Sequence, residues 1–344
     1  MSIGGAELIL GRLMSELDPA IDAVAAGVDQ GVVDWLCAQR PGTAGTLLAT
    51  VTGKRDAVRF AGNVRAIAAL GADIFQANLN VPSACQYALA AATLVPRLRT
   101  VAVEHLPYPL TGRLQLALKR FTSSRLAAHV AVGDEVAREI EGYAHLEPGS
   151  VRAIHNGVAD LNLVQLPRPF TGPAVGTIGR LDRQKGIDVL LRSLTEIPGA
   201  GLVVVGDGPE RASLERLARE LGVSDRVCFQ GWQKDARQHL TTFDVFALAS
   251  RFEGFPLVIV EAMLAGLPVV ATSVGSVSEA VLDQHTGLLV ESENAAALTG
   301  ALGSLVSDPE LRRRMGAEGR EHARAFSPAA MARAFEDLYR ELLA

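Results

Sequence analysis

The sequence predicts an α/β protein of two doubly wound, Rossmann-like domains. Three observations point there. With 344 residues the chain has room for two domains of ordinary size. Short apolar runs alternate with helical patterns in both halves, as βαβ units require. A stretch over 165–173, with Pro167, Pro169 and Pro173, reads as a linker between the halves. The expected domains are therefore 1–165 and 166–326.

Composition narrows the function. The chain is 49% hydrophobic and 21% charged, which suits a large core and excludes a disordered chain. Its net charge is −5 with no basic block, so it is not read as a nucleic-acid binder. Cys37, Cys85 and Cys228 stand apart, without metal or redox spacing, which suits a reducing compartment. No run reaches the length of a membrane span, and no basic-then-apolar leader opens the sequence. The expectation is a cytoplasmic protein.

In the first half, Gly4-Gly5-Ala6-Glu7 runs straight into a helical pattern through Leu8, Leu10, Leu13 and Leu17, with no strand ahead of it. A strand over 46–51, a helix over 56–70, a strand over 71–77 and a helix over 84–94 follow. The next strand, over 100–105, ends in Glu104 and His105. Imidazole titrates near neutrality, so His105 is either structural or placed to assist a hydroxyl. Residues 110–125 set Arg113, Lys119, Arg120 and Arg125 against Leu114, Leu116, Leu118 and Phe121. Such a basic amphipathic segment suits either an anionic lipid surface or plain solvent. After a strand over 128–132, Asp134 and Glu135 open a helix whose dipole favours acids there. A strand over 151–154 leads to Asn156-Gly157-Val158.

In the second half, a strand over 175–178 opens onto Gly179-Arg180-Leu181, and Lys185-Gly186 precedes a helix over 187–194. Two cations near a helix start suit a diphosphate, Arg as a planar fork and Lys as a point charge. A strand over 202–205 turns through Gly206-Asp207-Gly208 into a helix over 209–221. That lone Gly-x-Gly lacks the third spaced glycine of a dinucleotide site. Trp232, at a strand end, either stacks on a base or packs. The decisive stretch follows a buried strand over 244–249: Ser250-Arg251-Phe252-Glu253-Gly254-Phe255-Pro256-Leu257, running into a helix over 256–265. Gly266 and Pro268 stop that helix before a strand over 269–272. Loop and helix start thus lie at the carboxyl end of a parallel strand, where open α/β sheets place ligands. Glu253 and Glu261 flank N–H groups that favour an anion, so a ligand with hydroxyls and phosphate, such as a nucleotide sugar, is expected. A Gly275-x3-Glu279 unit marks the next turn, and the chain ends in helices over 295–305, 309–326 and 328–343. No Asp-x-Asp pair follows a strand, so no metal site is expected.

Glu253, seven residues and Glu261, with Gly254-Phe255-Pro256 between them, resemble the signature of retaining glycosyltransferase family 4. That resemblance extends over nearly the whole chain. It implies the GT-B fold, two Rossmann-like domains with a cleft between them, and a last helix over 327–344 that returns to the first domain. It further implies a UDP-sugar or GDP-sugar donor, no cofactor, and transfer to a sugar or lipid-linked acceptor in envelope polysaccharide, lipopolysaccharide or glycolipid synthesis. By the same resemblance His105 faces acceptor and sugar, Glu253 the transferred sugar, and Glu261 the ribose. Arg180 and Lys185 hold the diphosphate, aided by backbone N–H groups of Phe255 to Val258, and Gly254, Phe255, Pro256, Leu257 and Val258 all belong to the donor site. Gly4 and Gly5 approach the donor phosphates, and Gly179, Gly206 and Gly208 border the nucleotide. Peripheral contact with anionic membrane at the inner face of the plasma membrane fits such an acceptor. With Glu261 on the ribose, the two glutamates are not a glycosidase pair. Two departures stand out. Ala159 intervenes before Asp160, and the central first strand expected ahead of Gly4 is missing, which would expose two inner strand edges. Two rivals remain: a GT-B nucleotide-sugar epimerase, and a truncated, non-catalytic paralogue that binds a nucleotide sugar.

Overall fold

The computed structural model describes residues 4–108, 110 and 112–344. Thr111, within the expected 110–125 helix, and the Leu114 side chain lie outside the description. The chain divides into two compact units, Met1–Gly157 with Ser327–Ala344, and Val158–Phe326. The proline-rich 165–173 stretch falls inside the second.

The first unit begins with α1 (Gly5–Glu16), β1 (Val24–Gly27), α2 (Gln30–Gln39) and β2 (Ala44–Leu47). It continues through α3 (Ala57–Ala69), β3 (Ile74–Leu79), α4 (Gln86–Ala92), β4 (Arg99–Glu104), α5 (Arg113–Ser123), β5 (Ala128–Ala131), α6 (Asp134–Ala144) and β6 (Val151–Ala153). Its strands form two parallel sheets, β1-β2 and β3-β4-β5-β6. Among the described residues β1 pairs only with β2, and β3 only with β4. The two exposed inner edges expected from the sequence are therefore those of β1 and β3. Val101, Ala102, Val103 and Val130 are buried in the larger sheet, and Val33, Leu36 and Met14 pack over Ala25 of the smaller. Strand β1 and helix α2 escape the sequence pattern, because Val-Ala-Ala-Gly is a weak strand former. The 71–77 strand begins later, at Ile74, since Gly71 (φ +61°) closes the turn after α3 instead.

The second unit holds β7 (Ala174–Ile178), α7 (Ile187–Leu194), β8 (Gly201–Val205), α8 (Arg211–Glu220), β9 (Val227–Gly231), β10 (Val245–Leu248), α9 (Leu257–Leu264), β11 (Val269–Thr272), α10 (Val277–Ala280), β12 (Gly287–Val290), α11 (Ala295–Ser307) and α12 (Pro309–Ala323). Its six parallel strands are ordered β12-β11-β10-β7-β8-β9, so from β9 to β12 the order of appearance is 3-2-1-4-5-6, the doubly wound pattern. One core of Val175, Leu190, Leu202, Val204, Val245 and Leu302 joins one face of the sheet to α7 and α11. Helix α9 buries Ile259, Val260, Ala262 and Met263, which explains its nearly apolar sequence. Asp308 caps α12 by accepting from the Glu310 and Leu311 N–H groups. The chain then closes with α13 (Pro328–Leu343), capped by Ser327 and belonging to the first unit. There Tyr339 donates to Gln76 Oε1 at 2.6 Å, and Glu336 accepts from the Asp18 N–H at 2.8 Å.

Candidate functional site

In the second unit the winding reverses between β7 and β10, and the loops at their carboxyl ends carry the candidate donor residues. Lys185, from the loop after β7, places Nζ 2.6 Å from Glu253 Oε1, in the loop after β10. The same oxygen accepts from Ser250 Oγ at 2.6 Å. Glu253 and Ser250 are buried, so the carboxylate is stripped of water and answered by a cation and a hydroxyl. Backbone contacts fix the two loops to each other. The Arg251 N–H donates to Gln184 O at 2.7 Å, and Gln184 Nε2 to Phe252 O at 2.9 Å. Gly275 (φ +50°) completes the wall: a Cβ there would lie 2.0 Å from Glu253 O, so only glycine fits. Arg251 does not offer itself to a ligand. It forks onto Asp188 at 3.0 and 2.9 Å and reaches Glu293 at 2.9 Å, clamping the loop to α7.

Arg180 differs from Lys185. Its side chain is 72% exposed and comes no nearer than 3.6 Å to Asp182. The glycines singled out by sequence bring loops together. Gly206 (φ +133°) would drive a Cβ to within 1.9 Å of Gly179 O, and a Cβ on Gly208 would lie 2.4 Å from Leu181 O. At the start of α9 one expectation needs correction. Pro256 has no N–H, so of the run from Phe255 to Val258 only Phe255, Leu257 and Val258 carry donors. Phe255 is buried against Phe326, ring centroids 5.1 Å apart. Glu261 lies one turn into α9, half-buried. Trp232 is 73% exposed and so is not a packing residue within its unit.

In the first unit His105 sits at the tip of β4, half-buried, with Nε2 3.3 Å from Asn78 Oδ1. Burial pushes its pKa down to about 4 against the upward pull of Glu104, so the ring is neutral at physiological pH. Glu104 is not a solvated strand-end carboxylate. It is wholly buried and accepts from Lys119, from His129 Nε2 at 2.5 Å and from the Tyr143 hydroxyl at 2.9 Å. Burial alone would raise its pKa, but the His129 hydrogen bond and the Lys119 charge hold it at about 2. Lys119, expected on the basic face of α5, is therefore an internal ion-pair partner. That face retains Arg113, Arg120 and Arg125, with the Arg125 guanidinium 3.9 Å above the Phe121 ring. Gly4 and Gly5 begin α1, where the Gly4 N–H donates to Glu7 Oε2 at 3.0 Å. Sequence reasoning did not single out Asn78, His129 or Tyr143, and gave Ser250 no role of its own. The partners of Asn78, His129 and Tyr143 lie 25 to 39 residues away in the chain, beyond any local pattern, whereas Ser250 meets Glu253 three residues on.

Residues 33–160 match the family described as Glycosyltransferase Family 4, and residues 160–322 the family described as Glycosyl transferases group 1. The chain belongs to these group 1, family 4 glycosyltransferases. The lipopolysaccharide core biosynthesis glycosyltransferase LpsE of Rhizobium meliloti is 37% identical over 164 residues, 48% of this chain and 48% of that protein. The GDP-mannose-dependent alpha-(1-6)-phosphatidylinositol monomannoside mannosyltransferase of Mycolicibacterium smegmatis is 35% identical over 221 residues, 60% of this chain and 56% of that one. The chain thus spans about half the length of the curated relatives it matches. Anabaena HepE, solved in complex with UDP, superposes with a TM-score of 0.84 at 22% identity over 99% of this chain and 97% of that one. The fold is the two-domain, parallel-sheet GT-B fold.

Proposed function

We propose that this chain is a retaining glycosyltransferase that moves a hexose from a UDP-sugar or GDP-sugar to an acceptor hydroxyl in envelope polysaccharide, lipopolysaccharide or glycolipid synthesis. The observation that carries this reading is the buried Glu253, held by Lys185 and Ser250 at the winding reversal, beside an open Arg180. One Lys185 proton is committed to Glu253, which leaves two for phosphate oxygens. Arg180, Lys185 and the N–H groups that open α9 answer the charge that builds on the diphosphate as the sugar departs. Glu261 takes the ribose hydroxyls, and the carboxylate of Glu253 faces the sugar. The acceptor oxygen bonds to the anomeric carbon on the face that the diphosphate leaves, and the leaving electron pair stays on the diphosphate. Neutral His105, with a pKa near 4, hydrogen-bonds the sugar or acceptor but is too weak a base to keep a proton. The acceptor proton passes to a diphosphate oxygen instead.

Among the described residues no helix is long and apolar enough to cross a membrane. Exposed Arg113, Arg120 and Phe121 on α5, with Arg125 just past its end, support peripheral contact with anionic lipid at the cytoplasmic surface, and hence a lipid-linked acceptor. A binding paralogue without turnover is the second reading, favoured by the first unit's division into two sheets. The test is incubation with UDP-sugars and GDP-sugars plus acceptor alcohols, followed by NMR of the products. Nucleoside diphosphate release with a glycoside of retained anomeric configuration is expected. An isomerised free nucleotide sugar would identify an epimerase instead, and binding without product would favour the paralogue.

A further inference from the structure

Arg251, two residues ahead of Glu253, holds three loops of the second unit at once. Its Nε donates to Glu293 Oε1 at 2.9 Å, in the loop between β12 and α11. One terminal nitrogen donates to Arg183 O at 2.7 Å and to Asp188 Oδ1 at 3.0 Å, the other to Asp188 Oδ2 at 2.9 Å. Four of the five guanidinium donors are therefore committed to protein acceptors. Arg183 stands before Lys185 in the chain and Asp188 after it, so the fork grips the loop after β7 on both sides of Lys185. The backbone repeats the tie. The Arg251 N–H donates to Gln184 O at 2.7 Å, and a Cβ on Gly186 (φ +61°) would lie 1.9 Å from Ala249 O. On the other side Ser250 O accepts from Thr272 Oγ1 at 2.6 Å and from Ser292 Oγ at 3.3 Å, which fixes the clamp to β11 and to the loop after β12.

We propose that Arg251 is a positioning residue for the diphosphate, an inference that rests on the donor-site reading above. Arg251 touches no phosphate. It holds the loop so that Lys185 Nζ serves Glu253 and a phosphate oxygen together. Lysine reaches its ligand on a flexible four-carbon stem, so the place of the loop decides where the ammonium protons point. A lysine at position 251 would keep the charge, but a point charge cannot span Arg183 O, both Asp188 oxygens and Glu293 as a planar fork does.

The test compares Arg251→Lys and Arg251→Met with the unaltered full chain. Calorimetry gives the affinities for UDP and GDP and for UMP and GMP, and amide exchange is followed without ligand. In both variants the preference for diphosphate over monophosphate is expected to fall at least about tenfold, with monophosphate affinity held within about twofold. The residue-251 amide is expected to exchange at least about tenfold faster while the amides of β8 stay unchanged. Asp188→Asn loosens the same fork from its other side and should shift the preference in the same direction. Loss of preference in Arg251→Met but not in Arg251→Lys would overturn positioning and assign the effect to charge. An unchanged preference in every variant, or equal weakening of diphosphate and monophosphate, would overturn it as well. An unaltered chain that binds none of the four nucleotides would overturn the donor site itself, and the role of Arg251 with it.

Discussion

At the residue scale the second unit offers two cations with different duties. Lys185 is spent partly on Glu253, whereas Arg180 is 72% exposed, 3.6 Å from Asp182, and is the proposed partner of a diphosphate. Arg180→Ala should therefore lower kcat by roughly 10²–10³, the loss found when one electrostatic donor is removed from a transition state. A fall of less than about tenfold, or 1.4 kcal/mol, in a saturating kcat assay would contradict that role. Ser250→Ala removes one hydrogen bond to a buried carboxylate that keeps its lysine. A cost of about 1.5–3 kcal/mol in urea unfolding is expected, since the acceptor is charged. The loops that carry the proposed donor residues were legible because Gly-Arg and Glu-x7-Glu are contiguous motifs at strand ends. Their supports were not. Ser250 is legible only as a neighbour of Glu253, and Asn78 meets His105 from a different strand.

At the scale of elements, α5 shows how an amphipathic pattern misleads. Periodicity gives the helix but cannot show that one of its cations turns inward, because Glu104, the partner, lies fifteen residues earlier on β4. Lys119→Ala should destabilise the chain by about 3–5 kcal/mol by leaving that carboxylate buried and unanswered. Arg120→Ala, on the exposed face, should move the urea midpoint little. The larger strands were read almost to the residue, since runs such as 202–205 and 269–272 are continuously apolar. Strand β1 was not, having one buried residue and two small ones.

At the scale of the whole chain, two units carry related winding, yet only the second has an unbroken six-stranded sheet. Two-stranded sheets are marginal alone, so β1 and β2 amides should exchange far faster than those of β7, β8 and β10. Acid should weaken the first unit in two steps. His105 has a folded pKa of about 4 against an ordinary 6.5, so the unfolded chain takes its proton first and stability falls as pH drops between those values. Glu104, at about 2 against 4.5, stabilises fully above 4.5 and loses its contribution as pH falls toward 2. Urea midpoints followed from pH 7 to 3 should show the upper step shrink in His105→Asn while the lower one persists.

The measurement closest to the centre is calorimetric titration of the chain with UDP, GDP and ADP, repeated on Glu261→Ala. Saturable binding of one nucleotide diphosphate, lost or strongly weakened in the variant, is expected if the β7–β10 loops and α9 form a donor site. A chain that melts cooperatively and binds none of the three, or binds one equally well without the Glu261 carboxylate, would contradict it.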